Sequence, residues 1–332
     1  MVYDYSNIEK VFLVGDIHGE FNDLFNRIKQ FLSNKKSLKD EKIDENECIY
    51  AINHDHEIDE LAAPIALSIR KKDNPLKQEM KYDNSLFIVA GDCGFGFNKH
   101  QYYIDVLKKI NEVLSDNNSH IIFVRGNHDD PSYFNEEKLF FSNIKCVPDY
   151  SVIKTKNFCT LCIGGAISID RTWRKSHEYH LNKYSKNKDK KLYWEDEQVI
   201  FDIDKLKELI ENGIKIDSVV THSSPKNMYP LEKDNYKHWL KIDKNLKKDV
   251  SDEREFLYQI YMFLLDNKID IKFWGYGHFH SLFYGNTDEN IPFIALPCNY
   301  SIIDINEHIN KMKNKKEPRN FFDFGLLNTI TF

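Results

Sequence analysis

The sequence predicts an α/β fold in which strands alternate with amphipathic helices, and three stretches carry that expectation. Val11 to Glu20 reads VFLVGDIHGE, Ser85 to Asp92 reads SLFIVAGD, and Ile121 to Asp130 reads IIFVRGNHDD. Each begins with a short apolar run rich in β-branched residues, as a strand buried on both faces requires. Each ends in polar groups where the backbone must turn. Open α/β sheets gather their ligands at the carboxyl ends of their strands.

In the first unit Gly15 ends the strand, and Asp16 and His18 follow at i and i+2, so both leave it on the same side. Carboxylate and imidazole at that spacing suit a divalent ion. Phe21, Leu24, Phe25, Ile28, Phe31 and Leu32 then recur at helical spacing. Ser33 to Asp83 is polar and interrupts what is ordinarily a short connection, so it predicts a surface insertion with some helix at Glu57 to Arg70. Its run Asn53-His54-Asp55-His56 is read as a solvated loop.

The strand Ser85 to Ala90 brings Asp92 to the topological place of Asp16, a helix spans about Gln101 to Leu114, and the strand Ile121 to Val124 delivers Asn127 and His128. Asn157 to Ile163 predicts a strand ending in Gly164-Gly165, with Arg171 and Arg174 side by side in the loop beyond. Lys175 to Lys191 is a charge run, expected to be a mobile solvated loop. Trp194 to Asn212 predicts a helix with Glu195, Asp196 and Glu197 in its first turn, where carboxylates suit the dipole. Ile216 to Val220 is a strand ending at His222, Glu255 to Asp266 a helix, and Ile271 to Trp274 a strand followed by GYGHFH with His278 and His280. Beyond Leu282, short apolar segments predict a closing antiparallel sheet. Neither an internal repeat nor a linker is visible, so residues 1–332 are read as one domain.

The chain has 332 residues, 30% of them charged, with a net charge of -6. Both signs are interspersed, which gives no global basic footprint for nucleic acid. No stretch approaches the roughly 18 apolar residues of a membrane span, and the first residues lack the apolar region of a signal peptide, so a cytoplasmic protein without a membrane partner is expected. The cysteines at 48, 93, 146, 159, 162 and 298 are scattered, which suits reduced thiols. Cys159 and Cys162 form a CxxC within a strand, where i and i+3 point to opposite faces, so zinc is not expected there.

Taken in order, D-x-H at 16, G-D at 92, G-N-H-D at 126, T-H at 221 and G-H-x-H at 277 resemble the calcineurin-like metallophosphoesterase superfamily over about residues 11 to 281. GGAISIDR at 164 to 171 and YWEDE at 193 to 197 are similar to a bacterial and phage branch of it. The resemblance implies an α/β sandwich of two mixed β-sheets with helices outside, and a two-metal site. By the family pattern Asp16, His18, Asp92 and His280 hold one ion, and Asp92, Asn127, His222 and His278 the other, with Asp92 as the bridge. Two divalent ions are expected, manganese first and iron or zinc as alternatives; with no Cys among the expected ligands, a structural zinc site is not. A water bridging them would attack phosphorus in line.

His128, next to Asn127, takes the family's catalytic position, where it would protonate the leaving oxygen. Arg125, Arg171 and Arg174 are read either as surface ion pairs or as phosphate contacts. Many relatives carry an aspartate that orients the catalytic histidine where this chain has Phe95, and Asp129 or Asp130 is the candidate replacement. The expected partner is a phosphate-ester substrate, monoester or diester. A nuclease, with nucleic acid as substrate only, and a non-catalytic protein-binding scaffold are the alternatives.

Overall fold

The computed structural model describes residues 1–33, 82–136, 138–184, 190–230, 232–298 and 302–313. The expected insertion, with its helix and its Asn53 to His56 run, lies outside the described residues except at its two ends.

Two sheets pack face to face. The smaller contains β2 (Lys10–Val14), β3 (Ser85–Val89), β4 (His120–Phe123) and β5 (Ile144–Cys146), all parallel, with β12 (Ile302–Asp304) antiparallel along β2. The larger has the order β1-β6-β7-β8-β9-β11-β10, built from β1 (Val2–Tyr5), β6 (Ser151–Thr155), β7 (Cys159–Ile163), β8 (Ser218–Thr221), β9 (Phe273–Tyr276), β10 (Phe283–Asn286) and β11 (Pro292–Ala295). β7, β8, β9 and β11 run parallel, while β6 against β7 and β10 against β11 are antiparallel.

The period of two explains why these runs are apolar throughout. In β2, Val11 and Leu13 enter a core between the sheets with Leu86, Ile88, Ile122, Val220 and Phe273. Phe12 and Val14 point the other way, into a cluster with Phe87 and Val89 and with helices α1 (Phe21–Ser33) and α2 (His100–Asp116) through Leu24, Ile28, Leu107 and Ile110. The outer face of the larger sheet is covered likewise, with Leu161, Val219 and Trp274 packed on residues of α5 (Ile203–Glu211) and α7 (Leu246–Asp266). Two short helices, α3 (Ser132–Asn135) and α6 (Tyr236–Trp239), lie in connections.

Several local expectations are corrected. Arg171 to Tyr184, expected as loop, is helix α4. It buries no residue and is anchored by Arg171 on Asp243 and Asp249, with Arg174 on Asp170 and Trp173 stacked on His177 as pairs one turn apart. The charge run is therefore helical as far as Tyr184, and residues 185–189 are outside the description. The helix expected from Trp194 begins only at Ile203, where Asp202 caps it by accepting the Lys205 N–H at 3.1 Å. The residues before it are held elsewhere: Trp194, Glu197 and Val199 are buried, and Arg125 binds the carbonyls of Asp196, Glu197 and Gln198. The carboxyl-terminal sheet is antiparallel only in part, since β11 runs parallel to β9, and the chain continues into helix α8 (Ile305–Lys313). Strands β1, β5 and β6 had no sequence signal strong enough to be expected. Among the described residues no helix is long and apolar enough to cross a membrane.

Candidate metal centre

Five strand ends meet at one edge of the sandwich. β2, β3 and β4 of the smaller sheet lead into Asp16 and His18, Asp92, and Asn127 and His128; β8 and β9 of the larger lead into His222, and His278 and His280. Asp16, Asp92, Asn127, His222 and His278 are buried, and His18 and His280 are the more open rim.

The groups fall into overlapping clusters whose ligand atoms lie within 4.8 Å of one another: Asp16, His18, His280 and Cys298; His18, Asp92 and His128; and Asp92, His222 and His278. In the first, the Nε2 atoms of His18 and His280 are 3.2 Å apart and Asp16 Oδ2 is 3.5 Å from His280 Nε2. In the last, His222 Nε2 stands 3.0 Å from Asp92 Oδ1 and 2.9 Å from Asn127 Oδ1, which is also 3.0 Å from His278 Nδ1.

The donor set fits cations. His222 Nδ1 is 2.7 Å from the Ala90 carbonyl, which can only accept, so Nδ1 carries a proton and donates it. A neutral ring would turn its Nε2 lone pair toward two oxygens, so this position calls for a positive charge, supplied either by a second ring proton or by a bound cation. Burial opposes that charge, but Asp92 and Asp16 outweigh it and raise the His222 pKa to about 9. Asp92 Oδ2 is buried with no hydrogen-bond partner among the described residues. Burial likewise would raise the Asp92 carboxyl, yet the His222 imidazolium, 3.0 Å from Oδ1, holds it well below the usual carboxylate range. Asp16, buried and less compensated, is pushed up to about 7. Burial lowers His18, His278 and His280, with the Lys233 ammonium acting in the same direction, which favours the neutral imidazole that ligates metal.

Backbone strain accompanies this convergence. His18, Asp92, His278 and His280 adopt φ of 45°, 48°, 67° and 58°, the left-handed region that non-glycine residues enter at a cost of about 1–3 kcal/mol each. Two glycines clear space for carboxylates. A Cβ on Gly126 would lie 2.3 Å from Asp92 Oδ1, and one on Gly277 would lie 2.0 Å from Asp16 Oδ1.

His128 donates its backbone N–H to Asp92 Oδ1 at 2.9 Å, while its half-buried ring packs edge-on to His18 and near Phe97, which meets Trp194. Burial holds the ring well below its ordinary pKa, against the pull of Asp92. Neither candidate replacement for the missing aspartate orients it. The Asp129 carboxylate accepts the N–H groups of Cys93, Gly94, Phe95 and Gly126, tying the β3 and β4 loops together, and Asp130 accepts from Ser132. Phe95 is a core residue stacked on Tyr133.

Arg125 is buried and paired with Asp149 at 2.9 Å, a staple within the fold. Arg171 spreads its guanidinium over Asp243 and Asp249, both at 2.6 Å. Arg174 pairs with Asp170 at 2.7 Å and lies close enough to His128 to act on it electrostatically. Cys159 and Cys162 divide between a half-exposed and a buried position, as opposite faces of a strand require.

Sequence reasoning missed four residues here. Cys298, after β11, brings a sulfur within reach of the first cluster, beside the ligands expected from the sequence. Lys233 sits in a loop with no distinguishing pattern. Ser168 and Glu197 stand behind Asn127: Asn127 Nδ2 donates to Ser168 Oγ at 2.8 Å, and Ser168 Oγ donates to Glu197 Oε2 at 2.5 Å. Both lie in motifs visible in the sequence, GGAISIDR and YWEDE, but nothing local shows that the two meet. A family model described as calcineurin-like phosphoesterase matches residues 53–282, which holds every candidate ligand except Asp16, His18 and Cys298. No curated protein matches the chain.

Proposed function

The chain belongs to the calcineurin-like phosphoesterase family, and from that membership we propose that it hydrolyses a phosphate ester with two divalent metal ions held at the strand ends. The observation that carries this reading is the buried Asp92 carboxylate, one oxygen against His222 and the other without a hydrogen-bond partner among the described residues, set between two clusters of imidazole and carboxylate. Asp16, His18 and His280 would hold one ion, Asn127, His222 and His278 the other, and Asp92 both. When bound, such ions polarise the phosphoryl oxygens and lower the pKa of an attacking water. The mixed nitrogen and oxygen set supports manganese, iron or zinc, and a sulfur at Cys298 weights the first position toward the softer two. Because both sheets supply candidate ligands, we read the chain as one domain.

The remaining work falls to side chains. His128 would donate a proton to the leaving oxygen. Its free ring is kept neutral by burial, and a phosphoryl anion set against it raises its proton affinity, so its proton arrives with the substrate. Arg174, whose charge reaches His128, is the better placed of the helix α4 arginines to meet a phosphate, because both forks of Arg171 are taken by carboxylates.

Elemental analysis and turnover of p-nitrophenyl phosphate against bis-p-nitrophenyl phosphate test this reading and separate monoester from diester. His128→Ala is expected to keep its metal and to lose about 10²–10⁴ in kcat on esters with a poor leaving group, less on p-nitrophenolate. Metal-free protein that turns over neither ester after incubation with manganese, iron or zinc would overturn it.

A further inference from the structure

An asparagine amide can present oxygen or nitrogen to a metal, and only the oxygen ligates. We infer that Ser168 and Glu197 are positioning residues that hold the Asn127 amide with its oxygen toward His222 and His278; this rests on the metal-centre reading above. Glu197 is 1% exposed and its two carboxylate oxygens accept the Ser168 backbone N–H at 2.9 Å and the Ser168 hydroxyl at 2.5 Å. With its hydroxyl hydrogen committed to Glu197, Ser168 Oγ offers only lone pairs to Asn127, so the NH2 end turns toward it at 2.8 Å. Oδ1 is thereby fixed 2.9 Å from His222 Nε2 and 3.0 Å from His278 Nδ1.

The device is built from distant parts of the chain. Ser168 lies in the turn after β7, where Ile167 N–H is bound by the buried Glu253, and Glu197 is fixed because its carbonyl accepts both the Arg125 guanidinium and the Ala166 N–H. The pair touches neither substrate nor candidate ion; it acts through Asn127.

Titration with Mn(II), followed by calorimetry and by electron paramagnetic resonance, tests this. Wild type is expected to bind two ions and to give the spectrum of a coupled pair. Ser168→Ala should weaken one of the two by about 10–100-fold, the usual effect of removing a group that orients a ligand, and convert the spectrum to that of isolated Mn(II). Ser168→Thr, which keeps the hydroxyl, should restore both ions. In an Asn127→Asp background either oxygen can ligate, so the Ser168→Ala penalty should vanish, whereas damage to packing would persist there. If Ser168→Ala does not fold, Glu197→Gln serves: its oxygen can still accept the Ser168 N–H, but its amide nitrogen donates to Ser168 Oγ and turns the hydroxyl hydrogen toward Asn127, so it should weaken the same ion. Both variants binding two ions as wild type does would overturn the positioning role, and wild type binding none would overturn the metal-centre reading instead.

Discussion

Gly126 shows how tightly single positions are specified. It offers no chemistry, yet any side chain there collides with the Asp92 backbone nitrogen at 2.0 Å and with its carboxylate. Backbone atoms in two crossing loops cannot retreat cheaply, because Asp129 clamps both through four N–H groups. Gly126→Ala is therefore expected to cost at least the ~1–3 kcal/mol typical of overpacking and to lower metal content at both ions together. Thermal denaturation and elemental analysis on the same sample check this. A variant that keeps full metal content would show that Asp92 can shift without loss.

At the scale of elements, helix α4 is instructive because it carries both arginines expected near phosphate. Arg171 anchors it to the carboxylates of Asp243, before α7, and Asp249, within α7. Arg171→Ala should cost about 2 kcal/mol by releasing hydrogen bonds between charged, partly buried groups, with KM little changed. Arg174→Ala should do the reverse, raising KM several-fold at nearly unchanged stability, since a single i,i+4 pair contributes about 0.2–0.5 kcal/mol. Denaturation curves and Michaelis profiles of the two variants check the contrast. Equal effects on KM would return both residues to a purely structural role.

For the whole molecule, the candidate ligands come from both sheets, so an ion held among them also ties the sheets together at that edge. Binding to the folded state alone adds stability by mass action, about 2.7 kcal/mol when free metal is 100 times Kd. Melting temperature is expected to rise with added manganese and fall with a chelator; equal values in both conditions would mean that no such ion is bound. What was legible in the sequence was local. The strands β2, β3, β4, β8 and β9 declare themselves because each is a few apolar residues long and buried on both faces, and their ligands because each follows directly on its strand, as Asp16, Asp92, Asn127 and His278 do beside a glycine. Asp16, His18, Asp92, Asn127, His128, His222, His278 and His280 could therefore be named from spacing and resemblance, and the structure brings all of them to one edge. Pairing is not local. Nothing in Val2–Tyr5 indicates that it lies beside Ser151–Thr155, or in Ile302–Asp304 that it closes against β2. The same holds for α4, whose composition reads as solvated loop while ion pairs to Asp243 and Asp249 hold it, and for Glu197, drawn from an expected exposed helix turn into the interior by Ser168 and Arg125. The sequence by itself determined which residues carry polar chemistry at strand ends, because a strand's period and its terminating glycine are written in adjacent positions. Only the tertiary structure decided that Cys298 joins them and that Ser168 and Glu197 stand behind Asn127, because those contacts depend on segments that meet across the sandwich.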